Sequence, residues 1–337
     1  MEAGLEQKQL TLIMIHQLVF KYRERDFRSL KKYGGIMQGI IIENKSNLYK
    51  VASTEKENEG KIYETKVRGK FKKEDISPTV GDYVEIKVLP KEEEKEQAII
   101  ERIMPRKVYI KRPKIANITQ MILVLSSKNP KPDLIMLDKQ LAFAELMGVK
   151  AVIVLNKIDL DKDRQFEQIK SMYENIGYKV INTMAKEGNG IEELMEVLQN
   201  NVNVFSGNSG VGKSTLINSI FGNEITEEGQ ISKKNKRGKN TTTKTRLYEI
   251  EKNTYIADTP GFSTFEITEI ESKDLAKYFR EFNKYINKCE FLDCTHIKEE
   301  NCGLKKAIEE GKIHKDRYER FCKIYNELKE KEERKKW

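Results

Sequence analysis

Hydrophobic positions along this chain change rhythm twice. From Gln38 to about Lys111 they come in short runs of strand type: Ile40-Ile41-Ile42, Tyr49 to Ala52, Tyr63 to Val67, Tyr83 to Val88 and Ala98 to Ile103. Turns of Gly, Asn, Pro and charged residues separate them, and five such runs predict a small β-barrel, most naturally an OB-fold. From Thr119 the pattern becomes buried strands alternating with helices. Gln120 to Ser126, Lys150 to Leu155, Val180 to Asn182 and Val202 to Phe205 read as strands; Leu134 to Met147, Phe166 to Ile176 and Ile191 to Gln199 read as helices. Such alternation predicts a parallel sheet with helices on both faces. After Phe265 the chain turns helical and highly charged, and Tyr318, Phe321, Tyr325 and Leu328 recur at helical spacing, a stripe that predicts packing. These shifts divide the sequence into an N-terminal extension (1–36), a barrel (37–112), an α/β domain (113–266) and a helical domain (267–337). No internal repeat is visible.

Composition narrows the class. At 337 residues the chain is long enough for two or three domains with their own cores, and 34% charged against 38% hydrophobic residues describes a soluble protein. A net charge of +9 and a pI near 9.0 point to a polyanionic partner, without separating RNA from DNA or an anionic membrane. The four cysteines, Cys289, Cys294, Cys302 and Cys322, cluster near one end, which fits a metal site in a reducing compartment, the cytoplasm, better than a disulfide framework. Leu10 to Phe20 is apolar but too short to span a membrane, and it carries neither a basic flank nor a small-residue cleavage site. A short amphipathic helix is expected there. Met37 is an alternative translation start that would make the upstream segment dispensable.

Two motifs carry the chemistry. Gly207-Asn208-Ser209-Gly210-Val211-Gly212-Lys213-Ser214 fits G-x-x-x-x-G-K-S between a strand and a helix opening at Thr215 and Leu216. Its glycines let backbone N–H groups turn onto phosphate oxygens, Lys213 neutralises β/γ charge and Ser214 offers a hydroxyl to Mg²⁺. Asn156-Lys157-Ile158-Asp159 ends a hydrophobic strand, where open α/β sheets bind ligands. Asp159 can accept from the guanine amide and exocyclic amine, Lys157 can lie along the base and Asn156 can tie this loop to the phosphate loop. The base-reading motif precedes the phosphate loop, the reverse of an ordinary GTPase, and that order implies circular permutation.

Between strands, Gly238 to Thr243 is a basic, polar stretch suited to a mobile switch; one of its threonines would complete the Mg²⁺ shell, and spacing alone does not say which. Lys233, Lys234, Lys236, Arg237 and Lys239 put positive charge beside it. Asp258-Thr259-Pro260-Gly261 follows a strand at Tyr255 to Ala257, placing Asp258 near Mg²⁺ through water and the Gly261 N–H near a γ-phosphate. The next residue is Phe262, whose ring cannot orient an attacking water as a glutamine does, so intrinsic hydrolysis should be slow. Cys289, Cys294, His296 and Cys302 form C-x₄-C-x-H-x₅-C, ligands for one tetrahedral structural Zn²⁺ with no position left for water. Cys322 is left over as a helix-packing residue. In the barrel, Arg68, Lys70, Phe71, Lys72 and Lys73 can form part of a nucleic-acid surface or simply a solvated loop.

Taken in order, the barrel, N-K-x-D, phosphate loop, T-T-T, D-x-P-G and zinc ligands resemble the circularly permuted, ribosome-associated GTPases of the RsgA (YjeQ) type, from about Met37 to the C-terminus. The resemblance implies an OB-fold barrel, a central permuted P-loop GTPase domain and a C-terminal helical zinc-binding domain. It implies a bacterial factor, with GTP/GDP, Mg²⁺ and zinc as ligands, that binds the 30S subunit and its 16S rRNA late in maturation and hydrolyses GTP there. Nothing in the sequence suggests a coiled coil, and a monomer is expected. Asn240, Thr242 and Gly261 stand at the catalytic positions. Two residues depart from the family pattern. Asn240 occupies the position where a histidine is usual, and an amide can bond a water but carries no proton at neutral pH. Met184-Ala185-Lys186 stands where Ser-Ala-Lys is expected. The alternative is a GTP-dependent RNA-binding switch with negligible hydrolysis of its own; a third reading is a zinc-and-barrel nucleic-acid binder unrelated to ribosomes, with DNA as one candidate ligand.

Overall fold

Alternating burial closes the first strands into a ring. The computed structural model describes residues 36–45, 48–67, 77–89, 97–222, 245–258 and 269–334, and the chain divides into two units, Met1–Arg106 and Lys107–Trp337. In the first unit, β1 (Ile36–Lys45) pairs antiparallel with both β2 (Leu48–Ser53) and β4 (Tyr83–Val88). Strand β3 (Ile62–Val67) lies antiparallel to β2 and parallel to β5 (Gln97–Ile103), which returns antiparallel to β4. All five strands expected from the sequence are present, in an OB-like closed order. Ile40, Val51, Tyr63, Val84, Ile86 and Ile100 fill the interior. Asp82, fully buried, receives Arg106 Nε at 2.7 Å on one oxygen and Arg106 Nη2 at 2.8 Å on the other. That two-pronged geometry gives direction as well as charge. Arg68, Lys70, Phe71, Lys72 and Lys73 lie outside the described residues.

The second unit opens with a hairpin the sequence did not announce, β6 (Tyr109–Lys111) and β7 (Lys114–Ala116). Its sheet then grows outward from β8 (Gln120–Ser126), buried along its whole length. Strands β9 (Lys150–Asn156) and β10 (Lys179–Thr183) add on one side of β8; β11 (Val202–Ser206) and β13 (Thr254–Asp258) add on the other, all parallel, and β12 (Arg246–Glu251) lies antiparallel on β13. The chain changes direction between β8 and β11. Crevices at such switch points, beyond the carboxyl ends of parallel strands, are where open α/β sheets take ligands.

Helix α1 (Leu134–Met147) starts because Asp133 accepts the Met136 N–H at 2.9 Å, satisfying one of the unpaired donors of its first turn. Next come α2 (Gln165–Ile176), α3 (Ile191–Leu198) and α4 (Lys213–Phe221). Leu194 and Leu198 of α3 and Leu216 of α4 share a core with Ile122, Val124, Val152, Val154 and Phe205. Alternation along the strands sends Ser206, the neighbour of Phe205, to the opposite face, where it meets Gln140 of α1. The sheet is therefore covered on both faces, as the sequence pattern required.

Where the sequence promised helices after Phe265, the described chain first makes short 3₁₀ turns at Ser272–Tyr278, Arg280–Lys284 and Ile286–Lys288, then α5 (Gly303–Glu309) and α6 (Lys315–Arg334). Phe279, Phe282 and Phe321 pack with ring centroids 5.0 to 5.3 Å apart, bearing out the aromatic stripe as packing. Beside them Asp138 of α1 is completely buried. Its carboxylate pairs with Arg317, receives Arg320 Nε at 2.5 Å and accepts the Tyr173 hydroxyl at 2.5 Å; Arg317 Nε also reaches Glu281 at 2.7 Å. Burial works against the Arg317 charge, yet the carboxylates of Asp138 and Glu281 outweigh it and raise its pKa above the ordinary value.

Removing one member of a buried ionic cluster strands the others, typically at about 3–5 kcal/mol. Asp138→Ala is therefore expected to lower unfolding stability by about that amount. Chemical denaturation of parent and variant checks it, and equal midpoints would show that the cluster does not hold the C-terminal elements to α1.

Candidate nucleotide site and metal centre

The loop between β11 and α4 is shaped by contacts that exclude side chains. At Gly207 (φ 143°) a Cβ would lie 2.2 Å from the Val124 carbonyl oxygen, and at Gly212 (φ 102°) 2.2 Å from Asn156 Nδ2. Only glycine fits either position. Lys213, first residue of α4, folds back over the loop and donates to Gly207 O at 2.6 Å and Asn208 O at 2.9 Å, and partial burial pushes its ammonium below the ordinary range. Ser209 and Ser214 are exposed at the mouth of this loop, Thr215 is half-buried and Val211 is buried beneath it. Nitrogen donors converging at a helix start, with a lysine, suit a chain of phosphates.

Asn156 ends β9 and is 2% exposed. Its Nδ2 donates to Val211 O at 2.9 Å, and its Oδ1 accepts the Thr183 hydroxyl at 3.0 Å and the Ala185 N–H at 3.2 Å. One carboxamide thus joins the base-reading loop, the phosphate loop and the loop after β10. Lys157 sits at φ 62°, an uncommon conformation for a side-chain-bearing residue. Its Nζ spans to Asn129 O and Gly210 O, each at 2.7 Å, while the Ser127 hydroxyl donates to the Lys157 carbonyl at 2.7 Å. The Lys157 stem therefore lies between two loops. Asp159 follows in a 3₁₀ turn (Ile158–Leu160) and is exposed. Ser219 of α4 donates to Ala185 O at 2.8 Å, so the Met184-Ala185-Lys186 segment is held through the backbone of Ala185 on both sides.

The structure brings together Asn156, Lys157, Asp159 and Gly207 to Thr215, with Asp258 exposed at the end of β13, a direct neighbour of β11. Asn240, Thr242 and Gly261 lie outside the described residues, as do the basic run from Lys233 to Lys239 and Phe262. Sequence reasoning missed three supports. Thr183 anchors Asn156; Gln140 Nε2 holds Ser206 Oγ at 2.7 Å, immediately before Gly207; and Asp133 Oδ2 receives Asn208 Nδ2 at 3.4 Å. Thr183, two residues before Ala185 at a strand end, had a local signal. Gln140 had none, because its partner is distant in the chain.

A second cluster lies between the last 3₁₀ turn and α5. His296 Nδ1 stands 3.4 Å from Cys289 Sγ, 3.5 Å from Cys294 Sγ and 3.4 Å from Cys302 Sγ, with Cys289 and Cys302 sulfurs 3.9 Å apart. All four ligand atoms fall within 4.8 Å of one another. Zn–S bonds of about 2.3 Å and Zn–N bonds of about 2.0 Å give a tetrahedron with edges of roughly 3.5–3.8 Å, so the four residues fit that ion. Burial pushes the Cys294 thiol up to about 12 and raises Cys302, and it lowers His296. A divalent cation at the centre offsets the penalty on thiolates and needs the neutral imidazole. Around it, Glu299 accepts from Thr295 N and Oγ1, both 2.8 Å, and Ile297 N at 3.0 Å, and the Tyr318 hydroxyl donates to His296 O at 2.7 Å. Burial raises the Glu299 pKa, but those donors prevail and hold it at about 2. Cys322 stands apart, half-buried on α6 beside Tyr318.

The chain is similar to known proteins along most of its length. The RsgA N-terminal domain matches residues 38–100 and the RsgA GTPase domain residues 103–268. A Clostridium botulinum protein named small ribosomal subunit biogenesis GTPase RsgA is 40% identical over 301 residues, covering 89% of this chain and 100% of its own; a Clostridium perfringens protein of the same name is 42% identical over 292 residues, covering 87% and 98%. Among solved structures, YjeQ from Thermotoga maritima superposes with a TM-score of 0.74 at 36% identity, covering 87% of this chain and 98% of its own. YloQ, described as a circularly permuted GTPase, does so with 0.74 at 29%, covering 88% and 96%. With both domains matched in order and nearly the full length of these relatives covered, the chain belongs to the RsgA family and is a GTPase.

Proposed function

We propose that this GTPase binds the small (30S) ribosomal subunit, assists its late maturation on 16S rRNA and leaves it after hydrolysing GTP to GDP and phosphate, acting in the cytoplasm as a monomer. The observation that carries the nucleotide reading is the Asn156 carboxamide, which draws base-reading and phosphate-binding motifs of inverted sequence order into one site. The ribosomal reading is supported by the names of the relatives and by the basic chain.

In this reading, Asp159 accepts the guanine N–H groups, the Lys157 stem lies along the base, and the backbone of Gly207 to Gly212 together with Lys213 carries the phosphates. Lys213 already has its ammonium over the loop, so triphosphate oxygens replace the Gly207 and Asn208 carbonyls as its acceptors. Ser214 and Asp258, both exposed at the ends of neighbouring elements, suit Mg²⁺, with a threonine of 241–243 completing its oxygens; the ion supplies charge neutralisation for the phosphates. Hydrolysis needs the switch from Asn240 to Thr245 and the Gly261 N–H near the γ-phosphate, and loss of that phosphate frees the switch. Cys289, Cys294, His296 and Cys302 would hold one structural Zn²⁺, which cross-links a segment too short to build its own core. Asn240 and Phe262 provide no proton acceptor at the water position, so ribosomal RNA is the proposed source of its alignment.

Turnover of GTP by purified protein with and without small ribosomal subunits tests the function. Stimulation confined to GTP and to small subunits is expected; tight GTP-dependent binding with no added turnover would instead favour a non-hydrolysing switch. Asp159→Ala should remove most of a guanine-over-adenine preference on the order of 10⁴, measured as competing ATP and GTP affinities, because a buried polar contact dominates such discrimination. Metal analysis should find one zinc per chain. Its removal by a strong chelator should loosen 289–302, seen as faster amide exchange there while guanine-nucleotide affinity is kept, and a metal-free protein with unchanged exchange would refute the structural role.

A further inference from the structure

The residues of α1 that reach the phosphate loop and those that reach the C-terminal helix point in different directions. Gln140, 2% exposed, donates to Ser206 Oγ at 2.7 Å, and Ser206 is the last residue of β11, joined directly to Gly207. At the start of the same helix Asp133 receives Asn208 Nδ2 at 3.4 Å. Asp138 lies about 200° around the helix from Gln140 at 100° per residue. It is held by Arg317, by Arg320 Nε at 2.5 Å and by the Tyr173 hydroxyl. Lys139 pairs with Glu327 of α6, and Arg280 Nε reaches Glu145 at 2.5 Å, so the C-terminal elements grip more than a full turn of α1.

We propose that Gln140 is a positioning residue for the phosphate loop, and that the hold of Arg317 and Arg320 on Asp138 sets where Gln140 places it. The proposal rests on reading Gly207 to Ser214 as the phosphate site. The physical reason is the composition of that loop. Asn156 and Lys157 hold its middle at Val211 and Gly210, but Gly207 has no side chain with which to anchor itself, so the placement of the loop's start depends on the end of β11. Ser206 is the upstream end, and its buried hydroxyl takes the Gln140 amide. A turn of α1 about its axis, driven by loosening or tightening of the Asp138 cluster, moves that amide and the start of the loop with it. Coupling of this kind is reciprocal: a nucleotide that fixes the loop also tightens α1 on α6. The C-terminal elements then sense the phosphate loop through a helix, by a route separate from the switch segment.

A mutant cycle on nucleotide affinity tests this. Fluorescent GDP and GTP analogues are titrated into the parent chain, Gln140→Leu, Arg320→Lys and the double variant, with thermal unfolding measured for each. Gln140→Leu keeps bulk and removes the amide; Arg320→Lys keeps charge and loses the Nε donor. Each single change is expected to weaken binding about threefold to tenfold, and the double variant to bind no worse than the weaker single, since one route carries both losses. In steady-state turnover KM should rise while kcat is kept. Gln140 and Arg320 share no contact in the structure, so two independent structural injuries would multiply; a multiplicative double variant, or an unchanged affinity for Gln140→Leu, overturns the proposal. Should Arg320→Lys fail to fold, Glu327→Gln relaxes the same helix pair at the surface and takes its place in the cycle. A parent chain that binds no guanine nucleotide removes the phosphate-site reading itself, and the proposal with it.

Discussion

A single buried carboxamide ties together three loops at the carboxyl ends of the sheet. The bonds from Asn156 to Val211, Thr183 and Ala185 meet at one buried side chain and join the loops after β9, β10 and β11. Each bond is modest, but all are buried, and an unmet polar atom there costs more than the bond itself contributes. The arrangement therefore holds together or fails together. Gly212 shows how close the fit is: its missing Cβ leaves the space that the Asn156 amide occupies. The lysine that follows Asn156 adopts a left-handed backbone and reaches Gly210 and Asn129, extending the same stitch outward to the loop before α1.

Local pattern was enough for most of this fold. Leu134 to Met147 has the limits of a helix in the sequence because Asp133 caps it, and the five barrel runs are strands because their alternation suits a two-faced wall. The hairpin β6–β7 was not legible, since strands of three residues carry too little alternation to register. Strand β12 was missed for a related reason: Arg246 to Glu251 is an edge strand with mixed polarity. The 3₁₀ turns from Ser272 onward carry helix-forming residues, but Phe279 and Phe282 must both turn toward Phe321, and their stacked rings suit short turns better than a continuous helix.

In the site, the legible residues were those whose chemistry shows in a short motif. The Cys289, Cys294, His296 and Cys302 set lies within one stretch of chain, and its sulfurs and imidazole nitrogen do converge. Asp138, Arg317 and Arg320 gave no signal. Charged residues on charged helices look solvated, and only the folded chain brings an aspartate of α1 against two arginines of α6. Tyr318 belonged to the predicted packing stripe, yet its hydroxyl donates to the carbonyl of His296, one of the four residues that could hold a metal. Hydrophobic periodicity reads the ring and is silent about the oxygen.

The order of strands in the second unit also sets the order in which a growing chain can assemble it. Strands β8, β9 and β10 are neighbours in sequence and in the sheet, so the half that carries Asn156 and Asp159 can form as soon as Thr183 has been made. Domains tend to fold from the N-terminal side during synthesis. Strand β11 then docks on the edge of β8 left open, bringing Gly207 to Ser214 beside the loop after β9, and β13 closes the other side. In an unpermuted GTPase the phosphate grip is translated first. Here the loop proposed to read the base is made before the loop proposed to hold the phosphates.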